Sequence, residues 1–178
     1  GAVVVVTAVF YWHWRIHRFD DILRAVAQEY GADERLLHAV IWRESKFNPM
    51  AVGRRGEVGL MQITRAAAAD WAAAEGRPVP ALSELFVPSV NVRAGAWYLQ
   101  RALQYWTSRT DDPLPYALAE YNAGRANVER WASNALLASQ FCRRIEFAST
   151  RRYVAAILER YRGETWPDAQ EAAEPRRR

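Results

Sequence analysis

The sequence predicts an all-α fold, and three observations carry the prediction. Apolar residues recur at helical spacing, or alanines run long, over about residues 20 to 30, 33 to 45, 64 to 75, 89 to 107, 113 to 122, 125 to 139 and 150 to 161. Glycine and proline punctuate these stretches, as at Gly31, Gly76-Arg77-Pro78, Asp112-Pro113 and Gly124, where helices are expected to stop. No run alternates apolar and polar residues as a half-buried strand would, and no segment repeats. With 178 residues, 51% hydrophobic and 12% aromatic, the chain can bury one substantial core, so residues 20–162 read as a single domain.

The elements follow in order. Residues 1–19 open at Gly1 and run AVVVVTAVFYWHW before Arg15, His17 and Arg18. A membrane-spanning helix takes about 20 apolar residues, and this run is shorter. It is therefore expected to be the remnant of an N-terminal signal or membrane anchor, with Tyr11, Trp12 and Trp14 at a lipid interface. The competing expectation is a buried strand or helix packed on the domain. Further on, Asp33 follows Gly31-Ala32 and is placed to cap the helix over 33–45. Asn48-Pro49 is expected to end that helix, because the residue before a proline is pushed out of the helical region. Residues 163–178, GETWPDAQEAAEPRRR, are polar and read as a loose tail.

Glu44 is the first candidate for chemistry. It lies at i+7 from Leu37, i+4 from Val40 and i+3 from Ile41, on the apolar face of its helix, whereas Glu34, Arg35, Arg43 and Lys46 can reach water. Burial disfavours a charged carboxyl group, so Glu44 is expected to titrate above the ordinary glutamate value of about 4.3. An acid that holds its proton near neutral pH is what general acid catalysis needs. The alternative is a carboxylate paired with Arg43 or another arginine. After Ser45, Gly53, Gly56 and Gly59 permit a tight loop that returns Leu60-Met61-Gln62-Ile63 towards the glutamate. Glutamine can donate to and accept from an acetamido or hydroxyl group, and methionine is a soft apolar surface for a sugar ring, or else ordinary core.

These residues carry a resemblance. The stretch ESKFNPMAVGRRGEVGLMQI (44–63) resembles the first two motifs of the soluble lytic transglycosylase family. ALAEYNAG (117–124) resembles that family's Ala-x-Tyr-Asn-Ala-Gly motif, and STRRYVAAIL (149–158) its closing Glu-Thr-x-x-Tyr-Val motif. The four segments come in the family's order between about residue 20 and about residue 162. The resemblance implies a lysozyme-like, goose-type helical domain with an active-site groove, acting without a cofactor. It implies cleavage of the β-1,4 bond between N-acetylmuramic acid and N-acetylglucosamine in peptidoglycan, leaving a 1,6-anhydromuramic acid end. Glu44 would be the single catalytic acid and base, Ser45 and Gln62 would hold substrate, and Met61 would line the groove. Tyr121 would hydrogen-bond near the glutamate and help set its protonation, with Asn122 and Tyr153 completing the wall.

Two positions depart from the family pattern. The position nine after the glutamate, often a serine, is Gly53, and the glutamate that opens the last motif is Ser149. Losing one well-placed donor can cost roughly 2.7–4 kcal/mol of transition-state stabilisation, so a slow enzyme is expected unless another group substitutes. The alternatives are a muramidase that admits water, and a catalytically weak glycan-binding or scaffold domain. Glycosidases normally use two carboxyl groups. Glu57 on the glycine loop and Glu120 beside Tyr121 are the nearest in sequence, and both are expected to be solvated. A single acid then requires the muramic acid to assist through its own 2-acetamido group and 6-hydroxyl.

The remaining signals bound the partners. A net charge of +4 and a pI near 9.5 favour an acidic partner such as a wall polymer, a membrane surface or nucleic acid. No basic run interleaved with aromatics and no zinc-finger or RNP-type signature is present, so nucleic acid is not expected. The resemblance implies peptidoglycan glycan strands as partner and the periplasm or cell envelope as location, with membrane tethering through residues 1–19 and a wall-building or secretion complex as further expectations. Cys142 is the only cysteine, so no intrachain disulfide can form, and it reads as a small buried side chain. His13 and His17 have i, i+4 spacing without an apparent third ligand, and His38 stands alone, so no metal is expected.

Overall fold

The computed structural model describes residues 2–133 and 137–163. The tail expected beyond residue 163 lies outside the described residues. The helices are α1 (Ala2–His17), α2 (Asp20–Tyr30), α3 (Glu34–Ser45), α4 (Arg65–Ala74), α5 (Pro88–Thr107), α6 (Pro113–Ala123), α7 (Arg125–Ala132), α8 (Ala138–Arg144) and α9 (Ala148–Arg162), with a 3₁₀ turn at Glu84–Phe86. No strand occurs among the described residues, only isolated bridges of Val58 with Val52 and with Ile63. The fold is all-α, as the sequence predicts.

Two expectations are corrected. The helix read over 125–139 stops at Ala132, where Ser133 leaves the helical region (ψ 119°) and its hydroxyl donates to the Arg130 carbonyl at 2.7 Å. A separate helix, α8, begins at Ala138. The N-terminal run is a helix, but it is not packed away: Val4, Val5, Val6, Val9, Phe10, Tyr11, Trp12 and Trp14 are all exposed. No helix among the described residues is long and apolar enough to cross a membrane.

The chain divides into two units, Gly1–Trp97 and Tyr98–Arg178, the division falling inside α5. In the first, α2 packs on α3 across Gly31, which takes the left-handed conformation (φ 63°) that a helix C-terminus favours and that only glycine adopts freely. Asp33 caps α3 as expected, accepting from the Arg35 and Leu36 amides at 2.7 and 3.3 Å. Leu23, Leu37, Val40, Ile41, Phe47 and Leu60 form the centre of this core. The Trp71 indole donates to the Tyr30 hydroxyl at 3.0 Å, and that hydroxyl donates to Glu75, which joins α2 to the end of α4.

In the second unit α6 is the central helix, buried along Leu114–Glu120 and packed against α7, α8 and α9. Asp112 caps it through the Leu114 amide at 3.2 Å and also binds Arg162 of α9 at 2.7 Å. A ring stack runs Trp106, Tyr116, Phe141, with centroids 5.1 and 3.8 Å apart. Burial pushes the Tyr116 phenol up to about 12, so this ring stays neutral at any physiological pH. Cys142 is buried here, as expected.

Candidate active site

Glu44 is the penultimate residue of α3 and is half-buried, on the face whose Leu37, Val40 and Ile41 are wholly buried. Ser45 beside it is buried and donates to the Ile41 carbonyl at 3.3 Å, a bond internal to the helix. The helix does not wait for Asn48-Pro49 to end. Lys46 and Phe47 both take left-handed conformations, φ 53° and 60°, and the Lys46 amide closes on Trp42 O at 3.2 Å. For residues with a Cβ this costs on the order of 1–3 kcal/mol each. Burying the Phe47 ring completely, with the His38 ring 4.6 Å away, offsets part of that cost. The carbonyls of this turn are met by two arginines, one in α1 and one just past its end: Arg15 Nε donates to Lys46 O at 2.9 Å and Arg18 Nη2 to Phe47 O at 3.1 Å.

The glycine loop is pinned from α5 by a residue that sequence reasoning missed. Asn91 is wholly buried; its Nδ2 donates to Val58 O at 2.8 Å and Leu85 O at 2.7 Å, and its Oδ1 accepts from the Met61 amide at 2.7 Å. Gly59 (φ 80°) must be glycine, since a Cβ there would fall within 3.0 Å of the Asn91 amide and of Leu85 O. Met61 does not present a surface for a sugar. It is wholly buried against Gly95 of α5, where a Cβ would strike its sulfur, so it supports the loop from the core.

Gln62 also sits at positive φ, 51°. Its Nε2 donates to Gly59 O at 2.9 Å and Ala51 O at 3.3 Å, so both amide protons go to the protein and only Oε1 is left to face outward. Glu57 is not a solvated loop residue either. Its side chain is 21% exposed, Oε2 accepts from the Arg55 amide at 2.8 Å, and the Gly53 amide donates to the Glu57 carbonyl at 2.7 Å, which closes the turn.

In the second unit Tyr121 is half-buried and meets the Tyr98 ring edge-on at 6.2 Å. Asn122 Oδ1 accepts from the buried Thr150 hydroxyl at 2.8 Å, tying α6 to α9. Tyr153 is 1% exposed, so it fills this unit's core rather than forming an open wall. Glu120 is the second correction among the carboxylates. It is buried, accepts from Trp106 Nε1 at 2.8 Å and is gripped by Arg125 through Nη2 at 2.8 Å and Nε at 3.0 Å. Those bonds hold the Arg125 guanidinium above its ordinary pKa. Ser149, where the family pattern has a glutamate, is exposed at the start of α9.

His38 does not stand alone. His17, Asp20 and His38 bring potential ligand atoms within 4.8 Å of one another, and His17 Nδ1 lies 2.8 Å from Asp20 Oδ2. That bond, with His38 against Phe47, gives the cluster a structural task at the junction of α1, α2 and α3.

The fold is all-α, with a half-buried glutamate near the end of one helix and a glycine loop after it, and comparison with known proteins places it in the lysozyme-like class. The chain belongs to the Transglycosylase SLT domain family, whose model matches residues 21–139. It is similar to the lytic transglycosylase Slt of Pseudomonas aeruginosa, solved as an inactive glutamate-to-glutamine variant, at 27% identity and a TM-score of 0.73 over 87% of this chain and 25% of that one. The 70-kDa soluble lytic transglycosylase of Escherichia coli matches with 27% identity and a TM-score of 0.73, over 82% of this chain and 24% of the other. A complex of the 70-kDa soluble lytic transglycosylase with bulgecin A matches with 25% identity and a TM-score of 0.72, over 87% and 26%. The chain thus spans about a quarter of the length of these proteins.

Proposed function

We propose that this domain is a peptidoglycan lytic transglycosylase in which Glu44 is the only catalytic acid and base. The observation that carries the reading is the setting of Glu44: half-buried in the last turn of α3, its backbone fixed by two left-handed residues that the protein stabilises at some cost. Strain kept beside a partly buried carboxyl group is characteristic of sites whose geometry matters. The inactive glutamate variant among the similar structures supports the assignment by analogy.

In this reading Glu44 protonates the glycosidic oxygen between N-acetylmuramic acid and N-acetylglucosamine, and the bond to the anomeric carbon breaks. The resulting carboxylate then takes the proton of the muramic acid 6-hydroxyl as that oxygen attacks the anomeric carbon. The product is a 1,6-anhydro ring, and no water is consumed. The bonding of the two carboxylates nearest in sequence supports a single acid: Glu120 is paired with Arg125 and Trp106, and Glu57 accepts from the Arg55 amide of its own turn. Gln62, Tyr121 and Asn122 are the remaining polar groups proposed to contact the glycan, with Ser45, Met61 and Tyr153 supporting them from within their own units.

The test is digestion of purified sacculi followed by mass spectrometry. Anhydro ends, lighter by one water than reducing ends, are expected from the native protein and from none of the Glu44→Gln variant. Reducing ends alone would make it a muramidase, and binding by both forms with turnover by neither would make it a glycan-binding or scaffold domain. For location, the exposed apolar and aromatic side chains of α1 favour an envelope enzyme held at a lipid surface through that helix. Co-sedimentation with lipid vesicles, abolished by Phe10→Ser and Trp14→Ser together, checks this.

A further inference from the structure

Gly53 stands where the family pattern often has a serine, and the side chains around it account for the departure. Gly53 has no positive φ, so its backbone does not require glycine. What requires it is space: a Cβ at this position would lie under 3.0 Å from Glu57 Oε2 and 2.8 Å from Gln62 Oε1. The two oxygens therefore converge on the volume that a side chain at 53 would occupy. The orientation of the Gln62 amide is fixed, because a flip would set Oε1 against the carbonyls of Gly59 and Ala51, which now accept from Nε2. Glu57 is fixed as well, by the Arg55 amide and by the turn that the Gly53 amide closes.

We propose that Glu57 and Gln62 form a paired acceptor over Gly53 for the nitrogen on C2 of a bound amino sugar. This inference rests on the glycan-acting reading above. Two acceptor oxygens facing one space repel unless a donor lies between them, and a carboxylate retains lone pairs after accepting from Arg55. Among the groups of a wall glycan, hydroxyls bring lone pairs of their own into such a space. The N–H of an acetamide, or the ammonium of a de-N-acetylated sugar, brings only donors. The negative charge of Glu57 favours whichever carries more positive character. The left-handed φ of Gln62 is then the backbone strain that aims Oε1 at the substrate.

Binding decides the matter apart from turnover. Dissociation constants are measured for fully N-acetylated and for de-N-acetylated glycan fragments in a Glu44→Gln background, alone and with Glu57→Ala or Gly53→Ala added. Each added substitution is expected to change the ratio of the two constants by about tenfold, the scale of one charge-assisted hydrogen bond, with both constants measured below the unfolding transition of each variant. A greater loss on the de-N-acetylated fragment assigns the pair to an ammonium, and a greater loss on the acetylated one assigns it to the acetamide N–H. If Glu57→Ala does not fold, Glu57→Gln keeps the shape, removes the charge and serves in its place. A ratio that stays the same in every variant overturns the inference alone. A parent protein that binds neither fragment overturns the glycan reading and this inference with it.

Discussion

The loop after α3 and the helices around α6 are maintained by different physics. Every non-glycine residue at positive φ among the described residues lies in or at the ends of the loop: Lys46, Phe47 and Gln62. Polar clamps hold it, with Arg15 and Arg18 on its first carbonyls and Asn91 on its return. The second region has no such strain. It is held by α6 buried on nearly every side, the Trp106–Tyr116–Phe141 stack and the Glu120–Arg125 pair. The contrast implies that energy is spent on geometry in the loop and on cohesion around α6. Substitutions in the first should therefore lose turnover out of proportion to stability, and those in the second the reverse.

The largest effect is expected at Asn91. Asn91→Ala leaves Val58 O, Leu85 O and the Met61 amide without their partner in a dry environment, at about 1–3 kcal/mol each. Denaturant unfolding should show a loss of several kcal/mol, and sacculus digestion should fall to background even where circular dichroism reports folded protein. Turnover that tracks only the folded fraction would break the contrast.

Glu120→Ala comes next. It orphans the Trp106 indole and leaves Arg125 beside a void, at about 3 kcal/mol, near the low end for a broken buried pair because the Arg125 side chain is 34% exposed. The chemical-denaturation midpoint should drop, while turnover by the folded fraction stays close to native. A fall of tenfold or more in that turnover would mean that the Glu120 pair also positions Tyr121 and Asn122, the glycan contacts proposed on α6, and would blur the two regions.

Gly95→Ala sharpens the comparison from a third side. The new methyl meets Met61 Sδ, and overpacking of this kind costs about 1–3 kcal/mol. Adding Met61→Ala should restore part of the stability, since the two changes share one volume, but not the turnover, since the loop loses its support. Additive stabilities in the double-mutant cycle would mean that the two residues do not press on each other.

Which of these features could be read beforehand depends on how local their causes are. The bounds of α2 and α3 and the Asp33 cap were legible because periodicity and capping act within a few residues. The cause of the stop of α3 was not legible: the helix ends at Ser45 before Asn48-Pro49 is reached, because burying Phe47 selects a conformation that no local propensity favours. The burial of Glu120 is not legible in the sequence because α6 is apolar around most of its circumference and its partner Trp106 is fourteen residues away, so helical period gives no inward side to count from. Asn91 acts on backbone thirty residues distant, a partnership that neither helical period nor local propensity in α5 can indicate. Gly53 was visible as a departure, but that Glu57 fills its space could be seen only once the turn was closed.

The smallest effect tests whether the cohesive region also carries a pH-dependent term. Glu146, before α9, accepts from Arg130 Nη2 of α7 at 2.9 Å, and that bond holds its carboxyl below the ordinary value of 4.5. A depressed pKa means that the ionised carboxylate favours the folded state. Its contribution is therefore complete above pH 4.5 and is lost as the pH falls through the folded-state value. Both side chains are more than half exposed, so solvent and salt screen the pair and the effect is small. Arg130→Ala should raise the Glu146 titration midpoint, read by carboxyl-carbon NMR. It should lower the thermal midpoint slightly at neutral pH, with the difference from native shrinking in acid and in high salt. Sacculus turnover at neutral pH should not change. A Glu146 midpoint unmoved by Arg130→Ala would remove this term from the second region, and a change in turnover would tie the α7 surface to function in a way that the division between geometry and cohesion does not allow.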